Sequence, residues 1–250
     1  MGSRQPRSPA DTLDAGRPPP RTETVNKEMA PMRKTLFPLF AAALLAMPAL
    51  AGPGKYNKAV APGDKAPDFA GLPAVMGDKD LTLSLADLKE DVVVIAFMAN
   101  HCPYVTKVED RVIDLANHFK DQSVRVVAVC VTPPAEYAPE GYSKEYCEQD
   151  TLSRIRDRAK QKNYTFAYGR DDSQKIGRDY GVVATPTFFV LDKERKICYM
   201  GSLDDNIDDE AKATKPYVRD AVQRLLAGKP VEIEETRATG CGIGYRKSGE

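Results

Sequence analysis

Five cysteines and two histidines are the side chains in this 250-residue chain best suited to covalent or redox chemistry. Among them, Cys102 has the most informative setting. It stands in Asn100-His101-Cys102-Pro103-Tyr104-Val105, directly after the apolar run Val92 to Ala99. A continuously apolar, β-branched run suits a strand covered on both faces of a parallel sheet. Beyond Pro103 the apolar positions Val105, Val108, Val112, Leu115, Ala116 and Phe119 recur every three or four residues, which predicts an amphipathic helix to about Lys120. Proline is favoured at a first helical position because its missing N–H costs nothing there. Cys102 is therefore expected where a buried strand hands over to a helix N-terminus, at the exposed edge of a sheet. Unpaired first-turn N–H groups and the helix dipole stabilise an anion at that place, and the thiolate is the nucleophilic form of cysteine. The adjacent imidazole of His101 could tune the same sulfur.

The other cysteines are read differently. Cys130 lies inside Val124–Val131 and is expected to act as a small core hydrophobe. Cys198, within Ile197 to Met200, is expected to pack. Cys147 stands among charged residues near the end of a long loop, Thr132 to Gln149, and reads as a surface thiol in preference to a redox partner. Cys241 lies in Thr239-Gly240-Cys241-Gly242-Ile243-Gly244-Tyr245, where three glycines suggest a flexible arm that could fold back. No two cysteines form a C-x-x-C, so a local disulfide, a zinc ribbon and haem attachment are excluded. The odd count leaves at least one thiol unpaired within the chain. His118, on the polar side of its helix, reads as a surface residue. The acidic loop Leu203 to Glu210 lacks the glycine and distal glutamate of a calcium loop. No metal and no cofactor are expected.

The elements that must position Cys102 follow from pattern. Residues 52–80 form a Pro/Gly-rich entry in which Ala66–Phe69 is expected to be extended. Leu81–Leu83 and Ser84–Lys89 suggest a short strand and one helical turn capped by Ser84. Val124–Val131 is a second buried strand, Leu152, Ile155 and Ala159 mark another helix, and Phe166–Tyr168 a short strand. Asp171-Asp172 can cap a brief helix with Gly181 as its left-handed stop. Pro186, at the head of the strand Phe188–Asp192, marks an edge, a turn or a cis bond. Phe188–Asp192 and Ile197–Gly201 form a hairpin. Lys215-Pro216 opens a last helix that ends at Gly228 and Pro230. Alternating strands and helices followed by a hairpin and a helix argue for an α/β fold, with a central mixed sheet between helical layers.

Residues 1–31 are rich in Pro, Arg, Ser and Thr and cannot bury enough surface to fold. Residues 32–51 then carry a basic start, an apolar middle and Ala49-Leu50-Ala51 before Gly52, the three parts of a secretory signal peptide. Translation is expected to start at Met32, and the protein to be exported, periplasmic or extracellular. The apolar run is short for a membrane span and carries Pro38 and Pro48, so no stable membrane anchor is expected after cleavage. The expected organisation is thus a disordered extension (1–31), a signal peptide (32–51), one folded domain (52–229) and a tail (230–250). Lys plus Arg equals Asp plus Glu at 36 each. Seven basic and four acidic residues lie in the first 51, which leaves 29 against 32 in the rest. That mildly acidic balance gives no reason to expect nucleic acid as a partner.

Taken together, the strand–H-C-P-Y–helix unit, Ala184-Thr185-Pro186-Thr187 before a strand, the hairpin and the closing helix resemble a thioredoxin-like three-layer sandwich. More narrowly, residues 60 to 246 resemble redoxins of the alkyl hydroperoxide reductase and thiol-specific antioxidant superfamily. The likeness is greatest to a peroxiredoxin-like group with N-H-C-P-Y-V, here Asn100 to Val105, and a C-terminal G-C-x-I, here Gly240 to Ile243. The resemblance implies that Thr185-Pro186 is a cis peptide beside Cys102, aligning the substrate together with Pro103 and Tyr104. Two departures stand out. Val105 occupies the place of the second thioredoxin cysteine. Ile95 and Ala99 occupy the places of the proline and the hydroxyl residue that peroxidases of the superfamily put before their cysteine. Three functions stay open: disulfide exchange through Cys102 with Cys241 as resolving thiol, peroxide reduction at Cys102, and thiolate metal binding without catalysis. The first two imply a disulfide or peroxide substrate and an external thiol reductant.

Overall fold

A computed structural model describes residues 53–247, all within one compact unit. The extension and the signal peptide expected in 1–51 lie outside the described residues. Seven strands form one sheet: β1 (Leu72–Met76), β2 (Lys79–Leu83), β3 (Val92–Phe97), β4 (Val124–Cys130), β5 (Ala167–Arg170), β7 (Thr187–Leu191) and β8 (Ile197–Gly201). Their order is β2-β1-β5-β4-β3-β7-β8. Strands β3, β4 and β5 run parallel, whereas β7 lies antiparallel to β3 and β1 antiparallel to β5. A separate two-stranded ladder joins β6 (Ala184–Thr185) to β9 (Cys241–Gly242).

Strand β3 is interior, and all six of its residues are buried. Val92, Val94 and Ala96 face a core with α1 (Pro103–Phe119), α3 (Leu152–Gln161) and α5 (Tyr217–Leu226). Val93, Ile95 and Phe97 face the opposite core, made by α4 (Lys175–Asp179), the entry segment through Val60 and Phe69, and Leu85 beyond it. Double coverage is why the strand reads as a continuous apolar run rather than an alternating one. Each large side chain buried this way contributes about 1.5–3 kcal/mol. The layers are those of the expected sandwich, and no helix among the described residues is long and apolar enough to cross a membrane.

The structure departs from expectation in several places. The entry segment contains β1, whose Pro73 lies outside the Ala74–Val75 stretch that pairs with β5. Ser84 precedes a 3-10 turn, Leu85–Asp87, but its hydroxyl accepts from Gly71 N–H instead of capping. The loop after β4 holds a helix, α2 (Lys144–Gln149), capped by Ser143. Cys147 on that helix is buried, not a surface thiol. Asp171 does hold the start of α4, accepting from Ile176 N–H at 2.7 Å, and Gly181 ends it at φ 63°. The expected flexible tail is instead fastened to the domain along Glu234–Arg246.

Candidate active site

Strand β3 ends at Phe97, and five residues later Cys102 caps α1, with Pro103 in its first turn. The cap carbonyl accepts from the N–H groups of Val105 and Thr106 at 3.0 and 3.2 Å. The junction predicted from sequence is therefore present, but its sulfur is covered. Cys102 is 0% exposed, contrary to the expected open sheet edge. Cys241 supplies the cover. Its Sγ lies 2.8 Å from Cys102 Sγ, across 139 residues of sequence, and both cysteines are free thiols. That separation is not far above the roughly 2.05 Å of an S–S bond.

Pairing of β6 with β9 brings the second sulfur there. Thr185 stands opposite Cys241 and Ala184 opposite Gly242. Gly240 comes so close to Thr185 that a Cβ on it would lie 1.9 Å from the Thr185 carbonyl oxygen. Thr185-Pro186 is cis, and Cys102 Sγ–H donates to the Thr185 carbonyl at 3.1 Å. Thus Cys102, Cys241, Thr185 and Pro186 meet at one point. Burial and the neighbouring Cys102 sulfur push the Cys241 thiol up to about 12, partly offset by the Tyr104 backbone N–H. Pro103 is exposed, and Tyr104 is partly buried with Lys107 Nζ over its ring. Burial also pushes the Cys130 and Cys147 thiols up, and that of Cys198 to about 11. Those three thiols therefore keep their protons at neutral pH.

The His101 ring makes its polar contacts elsewhere. Nδ1 lies 2.5 Å from Asp150 Oδ2, Nε2 lies 3.3 Å from the Tyr142 hydroxyl, and Tyr146 stacks on the ring. Asp150 is fully buried and also accepts from Asn100 N–H at 2.5 Å and the Thr132 hydroxyl at 2.6 Å. The carboxylate thereby fastens the Asn100–Cys102 turn to the segment between α2 and α3. Neither Asp150 nor Tyr142 announces itself in sequence, since a lone acid before a helix and a loop tyrosine are ordinary surface features. No group of three or more His, Cys, Asp or Glu able to hold a metal occurs among the described residues.

Residues 62–200, more than half of the chain, match the model of the AhpC/TSA family. The chain belongs to that family. Among solved structures it is similar to an uncharacterized conserved protein from Geobacillus kaustophilus, with 30% identity and a TM-score of 0.66, over 75% of this chain and 94% of that one. It is also similar to a hypothetical protein from Sinorhizobium meliloti, with 28% identity and a TM-score of 0.66, over 77% and 98% of the two chains. No curated protein matches it. Cys241 lies beyond the family-matched stretch, so family membership does not account for the second sulfur.

Proposed function

We propose that this AhpC/TSA member is an exported thiol–disulfide oxidoreductase in which Cys102 is the nucleophile and Cys241 the resolving thiol. The observation that carries the reading is the 2.8 Å separation of the two sulfurs. Reacting atoms about 3–3.5 Å apart are in near-attack geometry. Cys102 attacks a disulfide sulfur and forms a mixed disulfide, and Cys241 displaces the bound thiol to leave an intramolecular bridge. An external thiol reductant restores the pair. Val105, in the usual place of a resolving cysteine, leaves that role to a distant one. Thr185 and Pro186 border the reacting sulfur, and Pro103 and Tyr104 flank it on the helix side. His101 acts by holding its turn against Asp150. Export rests on the basic, apolar and small-residue pattern of residues 32–51.

Mass spectrometry of the oxidised, non-reduced protein tests the pairing. A peptide bridged through Cys102 and Cys241 is the expected product, and its absence removes Cys241 from the mechanism. Peroxide reduction is the second reading, favoured by the family match. Ala99 supplies no hydroxyl to a bound peroxide, so peroxide consumption is expected to be slow. Fast consumption that disappears in Cys102→Ser would reverse this order.

A further inference from the structure

The tail that delivers Cys241 is fastened on both sides of it. Upstream, Thr236 N–H donates to the Met200 carbonyl at 3.0 Å, and Ser202 donates through N–H to Thr236 Oγ1 and through its hydroxyl to the Arg237 carbonyl. Downstream, Ile243 N–H donates to the Val183 carbonyl at 3.1 Å and the Tyr245 hydroxyl to the Val182 carbonyl at 2.7 Å. Gln174, fully buried, grips the tail with both ends of its amide: Nε2 donates to the Gly244 carbonyl, and Oε1 accepts from Arg246 N–H, each at 2.9 Å. Releasing the tail would leave Gln174 Oε1 without a partner, Nε2 keeping only the Val131 carbonyl at 2.8 Å, and an unpaired acceptor is costly in a buried place. Between the two fastenings only Ala238 to Gly242 crosses the sulfur of Cys102.

Disulfide geometry turns this into a restriction on substrate. The two Cα atoms of a bridge lie about 4.4–6.8 Å apart, so a polypeptide joined to Cys102 must lay its own backbone within that reach. The Gly240–Gly242 backbone already fills the strip beside Thr185, at a contact too close for any side chain on Gly240. A small disulfide carries no such backbone and needs only that the Cys241 side chain turn aside.

We propose that the doubly fastened tail makes Cys102 selective for small, non-polypeptide disulfides over disulfides within a polypeptide chain. This rests on the reading of Cys102 as nucleophile. Its thiolate attacks one sulfur of R–S–S–R, forms Cys102–S–S–R and expels RS⁻, which takes a proton from water. Cys241 gives its proton to water and attacks the Cys102 sulfur, forming the internal bridge and expelling the second RS⁻. The substrate gains two electrons and becomes two thiols. The protein loses two electrons, which an external thiol returns.

The test uses full-length Cys241→Ser, which stops at the mixed disulfide, with bis(2-hydroxyethyl) disulfide and insulin as probes. Adduct formation at Cys102 is followed by mass spectrometry, and each rate is divided by the same probe's rate with free cysteine. The insulin adduct is expected to form about a hundredfold more slowly, because several hydrogen bonds of modest worth must open together. Adding Gln174→Ala or Tyr245→Ala, each of which removes tail contacts, is expected to raise the insulin rate at least tenfold and leave the small probe nearly unchanged. Equal normalised rates in Cys241→Ser, or an insulin rate unmoved by both loosening variants, overturn the selectivity and leave the nucleophile standing. Absence of both adducts overturns the nucleophile, and the selectivity with it.

Discussion

Replacing Gly240 by alanine places a methyl group 1.9 Å from the Thr185 carbonyl oxygen and 2.6 Å from its carbon. Both contacted atoms are backbone beside a proline, so the tail has to give way. Restoring ordinary contact near 3.4 Å requires the tail to retreat by roughly 1.5 Å. Carried to Cys241, a shift of that size takes its sulfur out of near-attack range, and a misplacement of about 1 Å costs roughly a hundredfold in rate. Closure of the Cys102–Cys241 bridge should therefore slow about a hundredfold. In a glutathione redox titration, an effective concentration about a hundredfold lower corresponds to roughly 2.7 kcal/mol. Acid quenching and alkylation after mixing reduced protein with bis(2-hydroxyethyl) disulfide measures the rate. Gly242→Ala is the matched control, since a Cβ there meets nothing within 4 Å. If Gly240→Ala closes its bridge as fast as Gly242→Ala, the strand does not set the approach of the two sulfurs and the reasoning fails.

Because the Cys241 thiol is pushed up to about 12, its alkylation by iodoacetamide in the reduced protein should rise about tenfold per pH unit from 8 to 10 without a plateau, whereas an ordinary thiol levels off above 9. Peptide mapping after timed labelling reads this, and a plateau near pH 9 contradicts it. The same shift fixes the sign of a stability effect. Above about pH 9 the unfolded chain gives up a proton that the folded one keeps, so this contribution, complete below pH 9, is lost as pH climbs toward 12. Asp150→Ala strands three donors, Asn100 N–H, the Thr132 hydroxyl and His101 Nδ1. It should lower unfolding free energy by about 3 kcal/mol in urea titration, with Asp150→Asn losing less; equal stability of Asp150→Ala and wild type would refute the fastening role.

What could be read from sequence was whatever repeats along an element. Strand β3 is buried on both faces and α1 buries one stripe, so their apolar residues recur visibly, and with them the place of Cys102. Single contacts made across the fold leave no such trace. On α2 only Cys147 of six residues is buried, which creates no period. Asp150 is a carboxylate in the interior, and nothing beside it in the chain names the three donors that make its burial possible. Pro73 disguised β1, because a proline usually keeps a strand out of a sheet. The glycines around Cys241 suggested freedom of movement. Gly240 is needed instead for its lack of bulk, a property that only the neighbouring Thr185 backbone reveals.

The separation of 139 positions between the two cysteines also imposes an order of events during synthesis. At about 5–20 residues per second, Cys102 is made roughly 7–28 s before its counterpart exists. Throughout that interval the newborn chain carries an unescorted thiol, free to be captured by whatever oxidant or passing cysteine it meets.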